Sequence, residues 1–273
     1  MTAISDLLSA NQVNALRKTN GFRLTLTSGS PLPTNDVSGV TTLYMTPYLS
    51  NQICLYVDGA WIVKETAEIS VSTSGIGGYK CADVFAYWTG SAVALELIEW
   101  TNDTTRATAI VQQDGVWVKS GDATRRYIGT CRTSSNPGQV ADVAAARFLW
   151  NLQNQVMLRG YNSDSTAHSY TVSSWRPWNN SLYSTAVEFI VGLPTNVYGQ
   201  ISGSVTTSSY VGYLTLNMAG ASFGNVRGAS FTDAGSSHGW ALIAPGYNLA
   251  YAWEYGGTGF YLYNTVVSLG IMG

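Results

Sequence analysis

The sequence predicts an all-β protein of two antiparallel β-sandwich or jelly-roll-like domains, with a short N-terminal helix and a short connecting helix. Three observations lead there. From Phe22 onward, short runs rich in Val, Ile, Thr and Tyr are broken by Gly, Asn and Asp, the alternation expected of strands and turns. Asp58-Gly59 and Asp114-Gly115 each stand between two such runs, and Asp-Gly readily adopts the positive φ of a tight hairpin turn. The length, 273 residues, suits two ordinary β domains.

Along the chain, residues 3–18 predict the N-terminal helix. Ser5 can cap it, Leu8, Val13 and Leu16 form a loose apolar stripe, and Gly21 stops it. Such a helix can anchor the chain to a partner or cover its own domain. The next elements are two hairpins, residues 52–64 and 107–119, with strands at 84–88 and 93–100 between them. Residues 132–142 are polar and contain Pro137-Gly138, which marks the end of the first domain. Residues 143–155 predict the connecting helix, because Ala144 to Ala146 favour helix and Phe148, Leu149 and Leu152 can share a face. Further strands are expected at 186–191, 197–202, 210–218, 239–243, 250–255 and 258–262. The expected divisions are residues 1–20 (helix), 21–135 (β domain), 136–165 (linker with a short helix) and 166–273 (β-sandwich). No heptad array, collagen-like repeat or solenoid period is present.

Charged residues make up 11% of the chain, against about 25% in ordinary soluble proteins. Ser, Thr, Asn, Gly and Tyr must therefore supply much of the surface, as in proteins held in assemblies or contacting sugars. A net charge of −2 gives no drive toward phosphate backbones, so no nucleic-acid partner is expected. Neither a signal peptide nor a run of about 18 apolar residues is found, so no membrane association is expected and synthesis as a soluble cytoplasmic chain is. Cys54, Cys81 and Cys131 lack zinc-site spacing and are expected to be small buried residues, with an inter-subunit disulfide as the alternative.

One catalytic pattern occurs. Gly220-Ala221-Ser222-Phe223-Gly224 fits Gly-x-Ser-x-Gly, and His238 follows it. The nucleophile elbow needs a helix after the serine, whereas Asn225 to Gly239 is rich in Gly and Ser. His168 and His238 stand apart, with no second metal ligand nearby. The carboxylate pairs Glu65/Glu68 and Glu96/Glu99 are spaced by three, which on a strand puts them on opposite faces, against a glycosidase pair. No enzyme activity, cofactor or metal is expected. The remaining chemical resource is aromatic. Among the aromatics crowding the C-terminal domain, Trp175, Trp178, Tyr183, Trp240 and Tyr247 are the candidate binding residues, since aromatic faces beside amides and hydroxyls suit sugars and protein anchors alike.

The run Thr41-Thr42-Leu43-Tyr44-Met45-Thr46-Pro47-Tyr48, then Ile53 to Trp61, Asp83 to Tyr87, Leu95 to Leu97, Trp100 to Arg106, Gln113 to Lys119 and Arg147 to Asn151 form an ordered series. Trp175-Arg176, Val187 to Gly192 and Gly270-Ile271-Met272-Gly273 continue it. Together they resemble the tail-fibre-like and other virion structural proteins of tailed bacteriophages over most of residues 21–273. The resemblance implies a virion protein, oligomeric and trimeric, with no catalytic residues. It leaves two roles open. One is a tail or head appendage that adsorbs to a host-surface glycan or receptor; the other is a capsid decoration, head-fibre or collar protein attached to other virion proteins through residues 1–20. Cysteines at ordinary apolar positions are this chain's departure from the pattern.

Overall fold

Strands make up most of the described residues, and several of them, among them Cys81–Trp88 and Asp122–Arg132, are buried on consecutive residues rather than on one face. The computed structural model describes residue 12 and residues 16–207, 212–228, 231–257 and 260–273. In chain order the strands begin with β1 (Phe22–Thr25), β2 (Val37–Val40), β3 (Thr42–Pro47), β4 (Gln52–Val57), β5 (Ala60–Glu65) and β6 (Ile69–Ser72). There follow β7 (Cys81–Trp88), β8 (Val93–Glu99), β9 (Ile110–Gln113), β10 (Val116–Lys119), β11 (Asp122–Arg132) and β12 (Val140–Val143). Next come β13 (Ala146–Arg147), β14 (Leu149–Asn151), β15 (Met157–Asp164), β16 (His168–Ser169), β17 (Trp175–Pro177) and β18 (Val187–Val191). The last are β19 (Thr195–Thr207), β20 (Gly212–Met218), β21 (Ala221–Gly228), β22 (Phe231–Ile243), β23 (Gly246–Tyr255) and β24 (Phe260–Met272). The all-β antiparallel class read from the sequence is the class observed, with one parallel pairing, β13 on β18, among the described strands.

The chain forms two compact units. One comprises residues 1–142 and 148–155, the other residues 143–147 and 156–273. The region expected as a linker, 136–165, is therefore divided between the units and carries strands. The connecting helix expected over 143–155 is not formed. β14 pairs with β11 there, and Phe148, Leu149 and Trp150 are buried one after another. Tertiary burial on both sides of this segment overrides the helix preference of its alanines. The N-terminal helix lies mostly outside the described residues; Gln12, Leu16 and Arg17 are helical.

In the first unit the two Asp-Gly hairpins are present as expected. β4 pairs with β5 and β9 with β10, with Asp58 and Gly59 at φ 50° and 82° and Asp114 and Gly115 at 50° and 78°. β7 and β11 lie at the centre of a sheet ordered β8-β7-β11-β10-β9, while β1-β3-β6 form a second sheet. Arg126 of β11 is buried without a carboxylate. Its guanidinium instead donates to the carbonyls of Thr19 (2.7 Å), Cys54 (2.6 Å), Lys18 (3.1 Å) and Arg17 (3.3 Å), tying the end of the N-terminal segment to this unit's core.

The second unit is a sandwich. One sheet is ordered β13-β18-β23-β20-β21 with β17 added on β23; the other is β15-β24-β19-β22 with β16 added on β24. Val197, Ile201, Leu214, Leu216, Met218, Val267 and Leu269 fill the space between them. Gly199 and Gly203 lie on the inward face of β19, where an added Cβ would come within 2.5 Å of Leu216 and of Leu214. The two sheets meet this closely only because β19 has no side chain there.

Candidate functional site

β23 carries the pattern that builds the site. Ala250, Ala252 and Glu254 point into the sandwich, and by strand alternation Tyr247, Leu249, Tyr251, Trp253 and Tyr255 share the outer face. The neighbouring strands extend this row. β20 sets Tyr213 opposite Tyr255 and Asn217 opposite Tyr251, and β17 sets Trp175 opposite Tyr255. The rings then touch in series. Tyr251 meets Trp253 edge-on at 6.2 Å, Trp253 stacks on Trp175 at 6.3 Å, and Trp175 lies 5.4 Å from Tyr255 and 6.4 Å from Tyr213. Offset and edge-to-face contacts of this kind stabilise the strip beyond the area it buries.

At the Tyr247 end the strip opens into a cavity of about 400 Å³, lined by Asn217, Ala219, Gly220, Tyr247, Asn248, Leu249, Tyr251 and Trp253. The β20–β21 turn forms one wall, with Ala219 and Gly220 both at positive φ (50° and 85°) and Ala219 N–H donating to Leu249 C=O. The Tyr247 hydroxyl donates to Glu188 at 2.7 Å. Asn217 Oδ1 accepts the Gly220 N–H at 3.3 Å, and Asn248 Nδ2 donates to the carbonyls of Ala244 and Gly246.

The five sequence candidates are scattered. Trp175, 38% exposed, and Tyr247 share this face. Trp178 is corrected. It is fully buried, with its indole N–H on Asp164 (3.1 Å) and its ring against His168, so it is a core residue with no surface to offer a ligand. Tyr183 is exposed apart from the strip. Trp240, 61% exposed, lies on the outer face of the opposite sheet beside Tyr198 and near exposed Leu242. Tyr213, Tyr251, Trp253, Tyr255 and Asn217 were not among the candidates. The period-two run Tyr247, Tyr251, Trp253, Tyr255 was the signal that could have found most of them.

The residues that suggested chemistry are engaged elsewhere. Ser222 is the second residue of strand β21, opposite Asn217, and not at a strand-to-helix turn; His238 is on β22 of the other sheet, opposite Gln200. Glu96 pairs with Arg125 (2.7 Å) and Lys119 (3.5 Å), and Glu99 with Lys80 (3.8 Å). Glu65 accepts from Gln52. Glu68 is partly desolvated, yet bonds from Ser28, Thr46 and the Gly29 N–H hold its carboxyl below the usual range. Among the described residues, no group of three or more His, Cys, Asp or Glu could hold a metal. No described helix is long and apolar enough to cross a membrane.

No family model matches the sequence, and no curated protein is similar to it. Some solved structures show a distant likeness. An insecticidal delta-endotoxin from Bacillus thuringiensis is 8% identical with a TM-score of 0.29, over 96% of this chain and 55% of that one. A chain of the T13 particle of infectious bursal disease virus is 7% identical with a TM-score of 0.32, over 93% of this chain and 65% of that one. An exo-beta-1,3-galactanase from Phanerochaete chrysosporium is 11% identical with a TM-score of 0.22, over 91% and 68%. The chain spans about half the length of the endotoxin, with 55% covered.

Proposed function

We propose that this chain is a non-enzymatic structural protein of a bacteriophage particle, a tail or head appendage that meets the host surface through the aromatic face of its second unit. The observation that carries the contact role is the ring series Tyr251, Trp253, Trp175, Tyr255 and Tyr213 on one outer sheet face, ending in an uncharged cavity. Aromatic side chains supply large contact area at low entropic cost, which is what a recognition surface needs. The particle context rests on the ordered motifs from Thr41 to Gly273 that resemble virion structural proteins, and with it the expectation of a trimer. Purified protein should bind susceptible host cells and compete with adsorption. No cell binding, together with antibodies that leave infection unchanged, would remove the adsorption role.

A second reading, a capsid decoration, head-fibre or collar protein, is favoured by the Arg126 clamp. Because that guanidinium fixes residues 17–19 to the first unit, whatever precedes them leaves from a defined point, as an attachment segment to other virion proteins would. Deleting residues 1–15 should then abolish incorporation into particles while the remaining chain keeps its melting transition.

A further inference from the structure

We propose that the cavity between the β20–β21 turn and β23 binds an uncharged pyranose, one unit of a longer glycan that continues along the aromatic strip. This rests on the aromatic face being a recognition surface and not on the chain's place in a particle.

The first argument is charge. None of the eight lining residues is ionisable as Asp, Glu, Lys, Arg or His, and the carboxylate of Glu188 sits on the hydroxyl of one of them, Tyr247. An anionic sugar would find no cation there to offset its desolvation, and Glu188 would repel it. A neutral sugar meets neither cost.

The second is hydrogen-bonding capacity. Asn217, on the outer face beside Tyr251, commits its carbonyl to the turn and keeps its amide hydrogens. The wall thus offers an amide donor to sugar hydroxyls, which both give and take a hydrogen bond.

The third is shape. Ligand sites are concave, mostly apolar and carry a few placed polar groups, and about 400 Å³ falls in their usual range. Tyr247, Tyr251 and Trp253 present rings to this space, and Trp175, Tyr255 and Tyr213 continue them beyond it. A sugar ring has an apolar face for such rings, and a chain of sugars has several.

The test is binding of the full chain to neutral oligosaccharides (galacto-, gluco- and N-acetylglucosamine oligomers) and to sialyllactose, by calorimetry and saturation-transfer NMR. Neutral oligomers should bind, longer ones more tightly, and sialyllactose at least tenfold more weakly. Tyr251→Ala should lower affinity at least tenfold, Tyr251→Phe should retain most of it, and Trp240→Ala on the opposite sheet should leave it unchanged. If Tyr251→Ala fails to fold, Asn217→Asp serves in its place: it keeps the acceptor for the Gly220 N–H, replaces the amide donor with a carboxylate, and should also weaken binding. No binding of any neutral oligomer, preference for sialyllactose, or binding undiminished in these cavity variants overturns the proposal. Protein that binds host cells but no saccharide overturns it while leaving the adsorption reading standing; saccharide binding without cell binding does the reverse.

Discussion

Glu254 joins the two sheets of the second unit to each other: its Oε2 lies 2.6 Å from Nε2 of His168, a residue of the opposite sheet. Its other oxygen, Oε1, takes Arg176 Nε at 2.5 Å from the adjacent strand, and the carboxylate has no exposed surface. Burial of the imidazole disfavours its cation. The hydrogen bond and charge of Glu254, with the Thr166 carbonyl, outweigh that and hold the His168 pKa above its usual value.

A pH dependence of stability follows. Because the folded value is raised above the unfolded one, the protonated ring stabilises the fold fully below about pH 6.5, the ordinary histidine value. The contribution is lost as pH rises through the folded value. The melting temperature of the second unit should therefore fall between mildly acidic and mildly alkaline pH, and His168→Gln should flatten that slope. An unchanged slope in the variant would show that the ring does not titrate against Glu254. Glu254→Gln removes the carboxylate that bridges Arg176 and His168, and should cost about 3–5 kcal/mol in denaturant unfolding, the usual penalty for stranding buried charge.

None of this triad could be read from sequence. Glu254 is separated from its partners by 86 and 78 residues, and no local pattern encodes that register. The Asp-Gly hairpins were legible because their positive φ is a local requirement. The helix expected over 143–155 failed for the opposite reason, since the burial of Phe148 and Trp150 between strands is a tertiary fact. Trp178 looked like a surface aromatic among Pro and Asn, yet its partners Asp164 and His168 lie on strands its own neighbourhood does not name. The strip was half legible. Tyr247 to Tyr255 alternate along one strand, whereas Tyr213 joins them only through the β20–β23 register.

Cysteine reactivity is a second prediction. Cys54, Cys81 and Cys131 are all free and buried. Burial, with the Asp103 carboxylate nearby, pushes the Cys81 thiol up to about 12; burial also raises Cys131, and raises Cys54 against the opposing charge of Arg126. The thiolate is the reactive form, so all three should resist a water-soluble disulfide reagent in native buffer and react together in denaturant. A thiol that reacts in the folded protein, or a dimer on non-reducing gels, would restore the inter-subunit disulfide considered from sequence.

Arg126 gives a third. Desolvation lowers its pKa to about 10, still charged at neutral pH, and its stabilisation comes from four backbone carbonyls with no acid among them. Arg126→Met should cost at least about 2 kcal/mol by leaving buried acceptors unsatisfied. Arg126→Lys should rescue little, because a compact ammonium cannot reproduce the planar fork. Protease cleavage near residues 16–19 should rise in both variants. Loss of stability without that local cleavage would mean the contact matters to the core and not to the N-terminal segment.

The last prediction concerns the distance between the two sheets of the sandwich. Gly199 lies in extended β19, so alanine is allowed there by backbone conformation, and the only obstacle is space: its Cβ would stand 2.5 Å from Leu216 Cδ2. Gly203 repeats the situation against Leu214 Cδ2 at 2.5 Å, with the Asn264 carbonyl also at 3.0 Å. Leucine can rotate but a backbone carbonyl cannot, so Gly203→Ala should be the more costly of the two. Overpacking of this kind costs about 1–3 kcal/mol, and Gly199→Ala belongs near the lower end. Pairing Gly199→Ala with Leu216→Val removes the clashing methyl and should return part of the loss, a coupling that a double-mutant cycle measures directly. Additive effects in that cycle would mean that the sheets separate instead of repacking. The outer aromatic strip, carried on the same β20 and β23, would then shift, and saccharide affinity would fall together with stability.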